Sequence, residues 1–421
     1  MRIKIEIEHL AKVESATIYL DDFLLFVGDN NSGKTLLMEL IYGIVNLIGK
    51  WEADCSRARI TERENVRYIR FDEEWYKTVE NEINSYLQSN KEKFVLKNFS
   101  SLIPLESVNI RFEDVEDLFY IATISSKASL EKQYPNGERE NVFEEINVSD
   151  DIESMLAHRV LVDMIGMHED EKQLFIPAAR AGLQMLYRYF FASSANVNTG
   201  IPLPVYEFLG FMQTYTNKVN FSRDEIELIN FLEQNLMSGK VEFQNNQFIF
   251  REGEREIPLN YASSMIHELA ILTSILKSDN KFGYIYYDEV ENSVHPLVQG
   301  DVARALIRFC NSGRKLIVST HSDTMAGKIN NLILLSRMKN VTEKREKIRK
   351  IGLTARDLLG EQKNVMVYEF KKNEDGKVRV EALEFMAYPK IGYSFERFNE
   401  NIDKLYNESN FIMGYNEDTE A

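Results

Sequence analysis

The sequence predicts an α/β fold in which short buried strands alternate with helices. A glycine-rich loop separates an apolar strand from an amphipathic helix near the start of the chain. Helices alternate with apolar strands through the last third, and two of those strands end in acidic residues or a histidine. Such alternation is typical of an α/β core. No internal repeat, low-complexity tract or long heptad run is found in the 421 residues.

The first half of the chain divides into two predicted parts. Residues 1–50 are predicted to form two or three strands, the glycine-rich loop and its helix, which together make the first part of the core. Residues 51–170 read as a charged insertion and an antiparallel β subdomain, with strands at 108–112 and 118–124. An acidic, turn-rich stretch is predicted at 135–151, followed by a helix at 155–165.

The second half divides in the same way. Residues 171–255 are predicted to hold a strand at 173–177 and a mostly helical lobe, and a hairpin at 241–257 turns near Gly253. Residues 256–421 complete the core with helices at 264–278 and 297–310 and strands at 284–287 and 316–319. A last hairpin, 364–370 with 378–385, turns at an Asp-Gly pair.

Composition limits the classes of protein to which the chain can belong. Hydrophobic residues make up 44% and charged residues 28%, as in ordinary globular proteins. The sequence has no secretory leader pattern and no apolar run near the ~20 residues that a membrane span needs. With only Cys55 and Cys310 there is at most one disulfide and no cysteine metal cluster. We therefore expect a soluble, reduced, cytoplasmic protein.

The charge of the chain bears on nucleic-acid binding. A net charge of −16 argues against broad coating of nucleic acid, because that affinity depends on phosphate neutralisation. A local basic site remains open, and so does a plain solvated helix face. The densest basic cluster consists of Lys339, Lys344, Arg345, Lys347, Arg349 and Lys350.

The glycine-rich loop predicts the ligand. It matches G-x-x-x-x-G-K-[ST] and consists of Gly28, Asp29, Asn30, Asn31, Ser32, Gly33, Lys34 and Thr35. Its backbone N–H groups and the helix N-terminus can surround phosphate oxygens. Lys34 would reach the β- and γ-phosphates and the Thr35 hydroxyl would bind Mg²⁺. The sequence therefore predicts binding of a nucleoside triphosphate with Mg²⁺.

Residues far along the chain supply the predicted chemistry. The strand at 284–287 runs into Asp288, placed to hold Mg²⁺, and Glu289, placed to deprotonate the attacking water. His321 follows the next strand and can contact the γ-phosphate. Ser263 and Ser264 begin an amphipathic helix, where they serve either as helix caps or as a phosphate site.

This order of motifs resembles the ATP-binding cassette (ABC) superfamily, and within it the SMC-like heads, OLD-type nucleases and related bacterial defence ATPases. Residues 175–183 are similar to the "IPAERxGL" segment of those defence ATPases, 288–296 to "DEPENxLHP", and 320–322 to the switch-histidine "THS". The resemblance implies an ABC ATPase head: a P-loop core with a mixed sheet, an antiparallel β subdomain and a helical lobe. It further implies an ATP-hydrolysing enzyme with Lys34, Glu289 and His321 in the catalytic site.

The resemblance also implies a homodimer in which two subunits enclose two ATP molecules. Each nucleotide would contact the glycine-rich loop of one subunit and the serine-started helix of the other.

The sequence departs from the transporter pattern in two places: Ser263 and Ser264 lack the signature glycine, and the Q-loop glutamine is absent near Arg180. Arg180 can contact phosphate, contact a neighbouring subunit, or pair with a carboxylate.

The leading functional hypothesis is an ATPase subunit of a bacterial anti-phage defence complex that controls a separately encoded effector, a nuclease being expected. OLD-type nucleases use an Asp-x-Asp pair in a Toprim domain, and no Asp-x-Asp occurs here. The insertion at 51–151 is either an effector-docking surface or a solvated decoration. The alternatives are a DNA-repair or DNA-end-sensing SMC-like ATPase, and a scaffold that binds ATP with little turnover.

Overall fold

A nine-stranded mixed sheet forms the centre of the computed structural model, which describes residues 1–53, 58–63, 66–123, 128–134, 137–146, 152–193 and 200–413. Its strands lie in the order β10-β14-β15-β3-β16-β17-β2-β1-β6. Their bounds are β1 (Arg2–Leu10), β2 (Val13–Leu20), β3 (Phe23–Gly28), β6 (Ser107–Glu113), β10 (Glu171–Ile176), β14 (Lys281–Tyr287), β15 (Lys315–Thr320), β16 (Val365–Lys372) and β17 (Val378–Ala382). A mixed α/β class is thereby confirmed.

Five neighbouring strands of this sheet are parallel, namely β10, β14, β15, β3 and β16. Their carboxyl ends therefore meet at one edge, where open α/β sheets bind ligands. Next to β16 lies β17, which is antiparallel to β16 and parallel to β2. The sheet ends with β1, which is antiparallel to both β2 and β6. The glycine-rich loop, Asp288 and His321 all follow strands of the parallel part.

Alternate side chains of the parallel strands enter two different cores, as the period-two geometry of a strand requires. On β3, Leu24 and Phe26 face one core while Phe23, Leu25 and Val27 face the other, and all five are buried. Burial of a Leu or Phe side chain stabilises a fold by roughly 2 kcal/mol, so both layers hold the sheet firmly.

The described residues form twelve α-helices. They are α1 (Lys34–Gly49), α2 (Glu73–Ser89), α3 (Lys91–Phe99), α4 (Ile152–Ile165), α5 (Arg180–Ser193), α6 (Leu203–Gln213), α7 (Arg223–Phe231), α8 (Ser264–Lys277), α9 (Pro296–Asn311), α10 (Asp323–Ser336), α11 (Val341–Lys350) and α12 (Glu396–Met413). The predicted core helices and strands thus occur within a few residues of their expected bounds. No described helix combines the length and apolarity that crossing a membrane demands.

The antiparallel β subdomain is a five-stranded sheet in the order β4-β5-β7-β8-β9. The strands are β4 (Arg59–Arg63), β5 (Val66–Phe71), β7 (Leu118–Thr123), β8 (Ala128–Gln133) and β9 (Arg139–Ile146). The prediction of a turn-rich stretch at 135–151 is wrong for β9, which pairs with β8 across the Gly137 turn. Residues 135–136 and 147–151, like Cys55, lie outside the described part of the chain.

The predicted hairpin at 241–257 is a three-stranded sheet of β11 (Lys240–Gln244), β12 (Gln247–Glu252) and β13 (Arg255–Pro258). The sequence prediction missed the turn at Asn245 and Asn246, both of which have positive φ, 48° and 63°. Two consecutive left-handed residues form a two-residue hairpin turn, and asparagine tolerates that conformation. The π-helical turn Leu232–Met237 joins α7 to this sheet.

Candidate active site

The site lies at the carboxyl edge of the parallel strands, where four segments converge. The glycine-rich loop leaves β3, Asp288 and Glu289 leave β14, His321 leaves β15, and residues 177–180 leave β10. Because β14, β15 and β3 are adjacent and parallel, residues almost 300 positions apart in sequence meet there.

Glycine is required at two loop positions. Gly33 has a φ of 96°, and a Cβ there would lie 2.8 Å from Val13 Cγ2. Gly28 has a φ of 144°, and a Cβ there would lie 2.9 Å from the Phe370 backbone oxygen. Both positions combine a left-handed backbone with a close neighbour, so the loop's shape depends on glycine.

Lys34 begins α1 and points back into the loop. Its Nζ donates to the carbonyl oxygens of Gly28 and Asp29, both at 2.8 Å, and lies 2.9 Å from His321 Nδ1. The side chain is 3% exposed, and this burial lowers the pKa of Lys34 to about 8 against the opposing charge of Asp288. A buried ammonium held by loop carbonyls is ready to exchange them for phosphate oxygens.

Thr35 and Asp288 form the candidate magnesium position. Thr35 Oγ1 donates to Asp288 Oδ2 at 2.8 Å, and Ser319 Oγ donates to Asp288 Oδ1 at 2.6 Å. Burial raises the pKa of the Asp288 carboxyl, although the hydroxyl donors and Arg180 oppose the rise. A hydroxyl and a carboxylate are hard oxygen ligands of the kind Mg²⁺ prefers beside nucleotide phosphates, so these residues fit the ion.

Glu289 and His321 contact each other at the same site. His321 Nε2 lies 3.1 Å from Glu289 Oε1, and His321 Nδ1 faces Lys34. His321 Nδ1 also lies 2.9 Å from the Gly28 carbonyl oxygen, so the ring joins Glu289 to both the glycine-rich loop and Lys34. Glu289 is 38% exposed and has a φ of 46°, a costly conformation for a non-glycine residue that is found most often at functional sites.

Arg180 supports the backbone at Asp288 and Glu289 from inside the protein. It is fully buried and forms an ion pair with Glu268 of α8, and its guanidinium carbon lies 4.6 Å from the Tyr287 ring centroid. Its Nη atoms donate to the carbonyl oxygens of Asp288 at 2.8 Å and Glu289 at 3.1 Å. Of the three alternatives for Arg180, carboxylate pairing is the one present in this structure.

Ser263 and Ser264 lie apart from the loop of their own subunit. Ser263 caps α8 by accepting from the Ile266 backbone N–H at 3.4 Å, and both serines are exposed. In the part of the chain that the structure describes, no hydrogen bond joins either serine to residues 28–35. The helix N-terminus is thus open to solvent.

Several site residues were missed by sequence reasoning. Ser319 accepts from the Glu289 backbone N–H at 2.8 Å while it donates to Asp288, and Glu291 accepts from the His321 backbone N–H. Lys12, in the β1–β2 turn, donates to the Asn31 carbonyl. The positions of Ser319, two residues before His321, and Glu291, two after Glu289, offered a sequence signal, whereas Lys12 offered none.

Comparison with known proteins gives one family match. Residues 201–326 match the AAA ATPase domain family. The matched segment includes Ser263, Ser264, Asp288, Glu289 and His321 but not the glycine-rich loop. No curated protein sequence matches the chain.

Solved structures similar to this chain include heads of SMC proteins. An SMC head bound to the C-terminal winged-helix domain of ScpA is 10% identical with a TM-score of 0.37, and the match covers 90% of this chain and 97% of that one. The Thermotoga maritima SMC head domain is 11% identical with a TM-score of 0.35, covering 91% and 100%. The Pyrococcus furiosus Smc head bound to the C-terminal domain of ScpA is 11% identical with a TM-score of 0.38, covering 96% and 100%.

Proposed function

We propose that the chain is an SMC-like, ABC-type ATPase that binds ATP with Mg²⁺ at the carboxyl edge of the sheet and hydrolyses it. One observation carries the proposal: Lys34 of the loop and Glu289 of a distant strand both contact the same imidazole, that of His321. The AAA ATPase match, which covers the strand ends at 288–289 and 320–321, supports it independently.

The proposed chemistry follows from the side chains present. Lys34 binds the β- and γ-phosphates, and its ammonium is stabilised by their charge. Thr35 and Asp288 would hold Mg²⁺, which would supply positive charge to neutralise the phosphate oxygens. Glu289, whose side chain is partly exposed, accepts the proton of the attacking water. His321 holds Glu289 in place through Nε2 and lies beside the Lys34 ammonium through Nδ1.

Arg180 and Ser319 act as positioning residues. Arg180 holds the carbonyl oxygens of Asp288 and Glu289, while Ser319 holds the Asp288 carboxylate and the Glu289 N–H. These contacts offset the cost of the positive φ at Glu289 and aim its carboxylate at His321.

Steady-state turnover tests the hydrolysis proposal. Lys34→Ala should abolish ATP binding, whereas Glu289→Gln should keep binding and lose turnover by about a hundredfold or more, the usual range for a general base. Lys50→Ala at the far end of α1 and exposed Glu169→Gln are matched controls that should leave both unchanged. Equal turnover in wild type and Glu289→Gln would contradict the assigned role. ATP binding without turnover in the wild type would favour the scaffold alternative.

We further propose that ATP drives dimerisation. The exposed serines at the start of α8 meet no nucleotide site of their own subunit, which leaves that helix N-terminus available to the γ-phosphate held by a second subunit. ATP should therefore at least double the mass of Glu289→Gln measured by light scattering, because it adds this dimer contact to whatever assembly exists without ATP. Ser264→Arg should prevent that dimer while ATP still binds; an unchanged dimer would refute the arrangement.

The biological role that we propose is an ATPase subunit in a cytoplasmic anti-phage defence complex with a separately encoded effector, a nuclease being our candidate. Support comes from the resemblance of residues 175–183 and 288–296 to segments of defence ATPases. Capture of partners by Glu289→Gln with ATP in the native host tests it. Recovery of a nuclease that cleaves only with the ATP-bound complex supports this role, whereas ATPase stimulation by DNA alone would favour the repair alternative.

A further inference from the structure

The basic cluster of the sequence lies on α11 and its flanks. Residues 339–350 carry six basic and two acidic side chains, and α11 buries none of its residues. Lys347 and Lys350 pair within the helix with Glu343 at 3.5 Å and Glu346 at 2.7 Å. Exposed pairs of this kind contribute little stability, so the lysines remain able to bind other anions.

An apolar groove of about 500 Å³ runs between α10 and α11. Leu335 and Met338 form part of its floor, and Ile351 and Tyr388, 55% and 42% exposed, stand at its edge. The charged residues that line it are all lysines: Lys328, Lys347 and Lys350. An apolar groove with a rim of one charge is typical of a protein-binding surface, and it selects an amphipathic partner of opposite charge.

This chain contains a segment with those properties. In α12, Tyr406, Phe411, Ile412 and Met413 are between 61% and 78% exposed. Residues 396–421 carry seven acidic and two basic side chains. Among the described elements, α12 makes no substantial packing contact with another helix or strand. These four side chains therefore lack the burial that normally stabilises an amphipathic helix.

We propose that α12 of one copy docks into the α10–α11 groove of a second copy, and reciprocally. The negative charge of the segment complements the lysine rim, and exposed aromatic and aliphatic side chains match the apolar floor. The segment before α12 is held on α10, since Asn330 Oδ1 accepts from the Tyr393 backbone N–H at 2.9 Å. Ile351 and Tyr388 at the groove edge remain exposed, so the groove is open in a single copy.

The exchange is a two-fold interface separate from the ATP site, because groove and nucleotide pocket share no residue. It requires no nucleotide. Combined with the proposed ATP dimer, it would join dimers into a larger assembly, since two different two-fold interfaces on one chain extend beyond a pair.

Sedimentation velocity of the full chain without nucleotide tests the proposal. Ending the chain after Phe395, or introducing Lys347→Glu with Lys350→Glu, should raise the dimer dissociation constant about tenfold or more, as loss of an anchoring contact does. Lys93→Glu with Lys97→Glu is the control, because these lysines are exposed on α3, one turn apart, and give the same change of charge. Added salt should weaken the wild-type dimer.

A capture experiment separates exchange between copies from docking within one copy. A tagged chain ending at Phe395 keeps its groove and should capture the untagged full-length chain, whereas the same tagged chain with Lys347→Glu and Lys350→Glu should not. A wild-type monomer at ~100 μM would overturn the proposal, since specific homodimers form well below that concentration. A dimer unaffected by truncation would overturn it too, as would capture independent of the two lysines. Unchanged ATP binding by the truncated chain confirms that the variant is folded.

Discussion

Glu39 offers a quantitative test of the electrostatics beneath the nucleotide pocket. It lies on α1 one helical turn beyond Thr35 and is 7% exposed. Burial, aided by the negative charge of Asp288, raises the pKa of Glu39 from 4.5 to about 8. The folded protein therefore binds this proton more tightly than the unfolded chain does.

The sign of the effect follows from linkage. Because the folded pKa lies above the unfolded one, the stabilisation by this proton is fully present below the unfolded pKa and is lost as pH rises toward the folded value. The loss amounts to about 1 kcal/mol at about pH 5, about 3 kcal/mol at about pH 7, and levels off above about pH 8 near ~5 kcal/mol. Glu39→Gln replaces the protonated carboxyl with a neutral group of similar shape and removes this dependence.

Urea unfolding of wild type and Glu39→Gln, without nucleotide or metal, measures the difference at each pH. We expect the variant's advantage in free energy of unfolding to grow by about 2 kcal/mol from about pH 5 to about pH 7. Glu254→Gln, on the exposed Gly253 turn, should show a flat difference. Parallel pH profiles for Glu39→Gln and wild type would refute the burial argument.

Three further predictions concern residues around the site. Arg180→Ala leaves Glu268 buried without its partner, so the free energy of unfolding measured in urea should fall by about 3–5 kcal/mol. Normal stability with lost ATP affinity would instead indicate that Arg180 contacts phosphate. Gly33→Ala should lower the affinity for a fluorescent ATP analogue about tenfold or more while the circular dichroism spectrum stays native. The reason is that Gly33 has a φ of 96° and that an added Cβ would press against Val13. Unchanged affinity would contradict the loop geometry. Ser319→Ala should reduce turnover about tenfold with little change in ATP affinity, because Ser319 positions Asp288. The control Ser336→Ala, at another buried serine, should leave turnover intact. Equal turnover in the two variants would contradict a positioning role for Ser319.

The parts of the fold that local pattern determines were predictable. The apolar run 23–27 followed by a glycine-rich loop and a periodic helix specifies β3, the loop and α1, because strand, turn and helix chemistry agree there. The strands before Asp288 and His321 were predictable for the same reason. The turn at Asn245 and Asn246 was not, since asparagine is compatible with both turns and extended structure.

The supporting contacts of the site could not be predicted because they pair residues far apart in sequence. Whether Arg180 meets phosphate or a carboxylate depends on Glu268, which a different helix places beside it. The position of Glu39 under Asp288 depends on how α1 packs on β14, which hydrophobic periodicity does not specify. Sequence thus indicates the reacting groups, and packing selects their partners.

A crystal structure of Glu289→Gln with ATP and Mg²⁺ tests most directly whether one pocket joins the glycine-rich loop to the distant acidic strand end. We predict the triphosphate within residues 28–35, Lys34 Nζ on its β- and γ-oxygens, and the metal bound by Thr35 Oγ1 and Asp288. The substituted side chain at position 289 should face the γ-phosphate beside His321. Nucleotide bound elsewhere, or a metal that contacts neither Thr35 nor Asp288, would contradict the account.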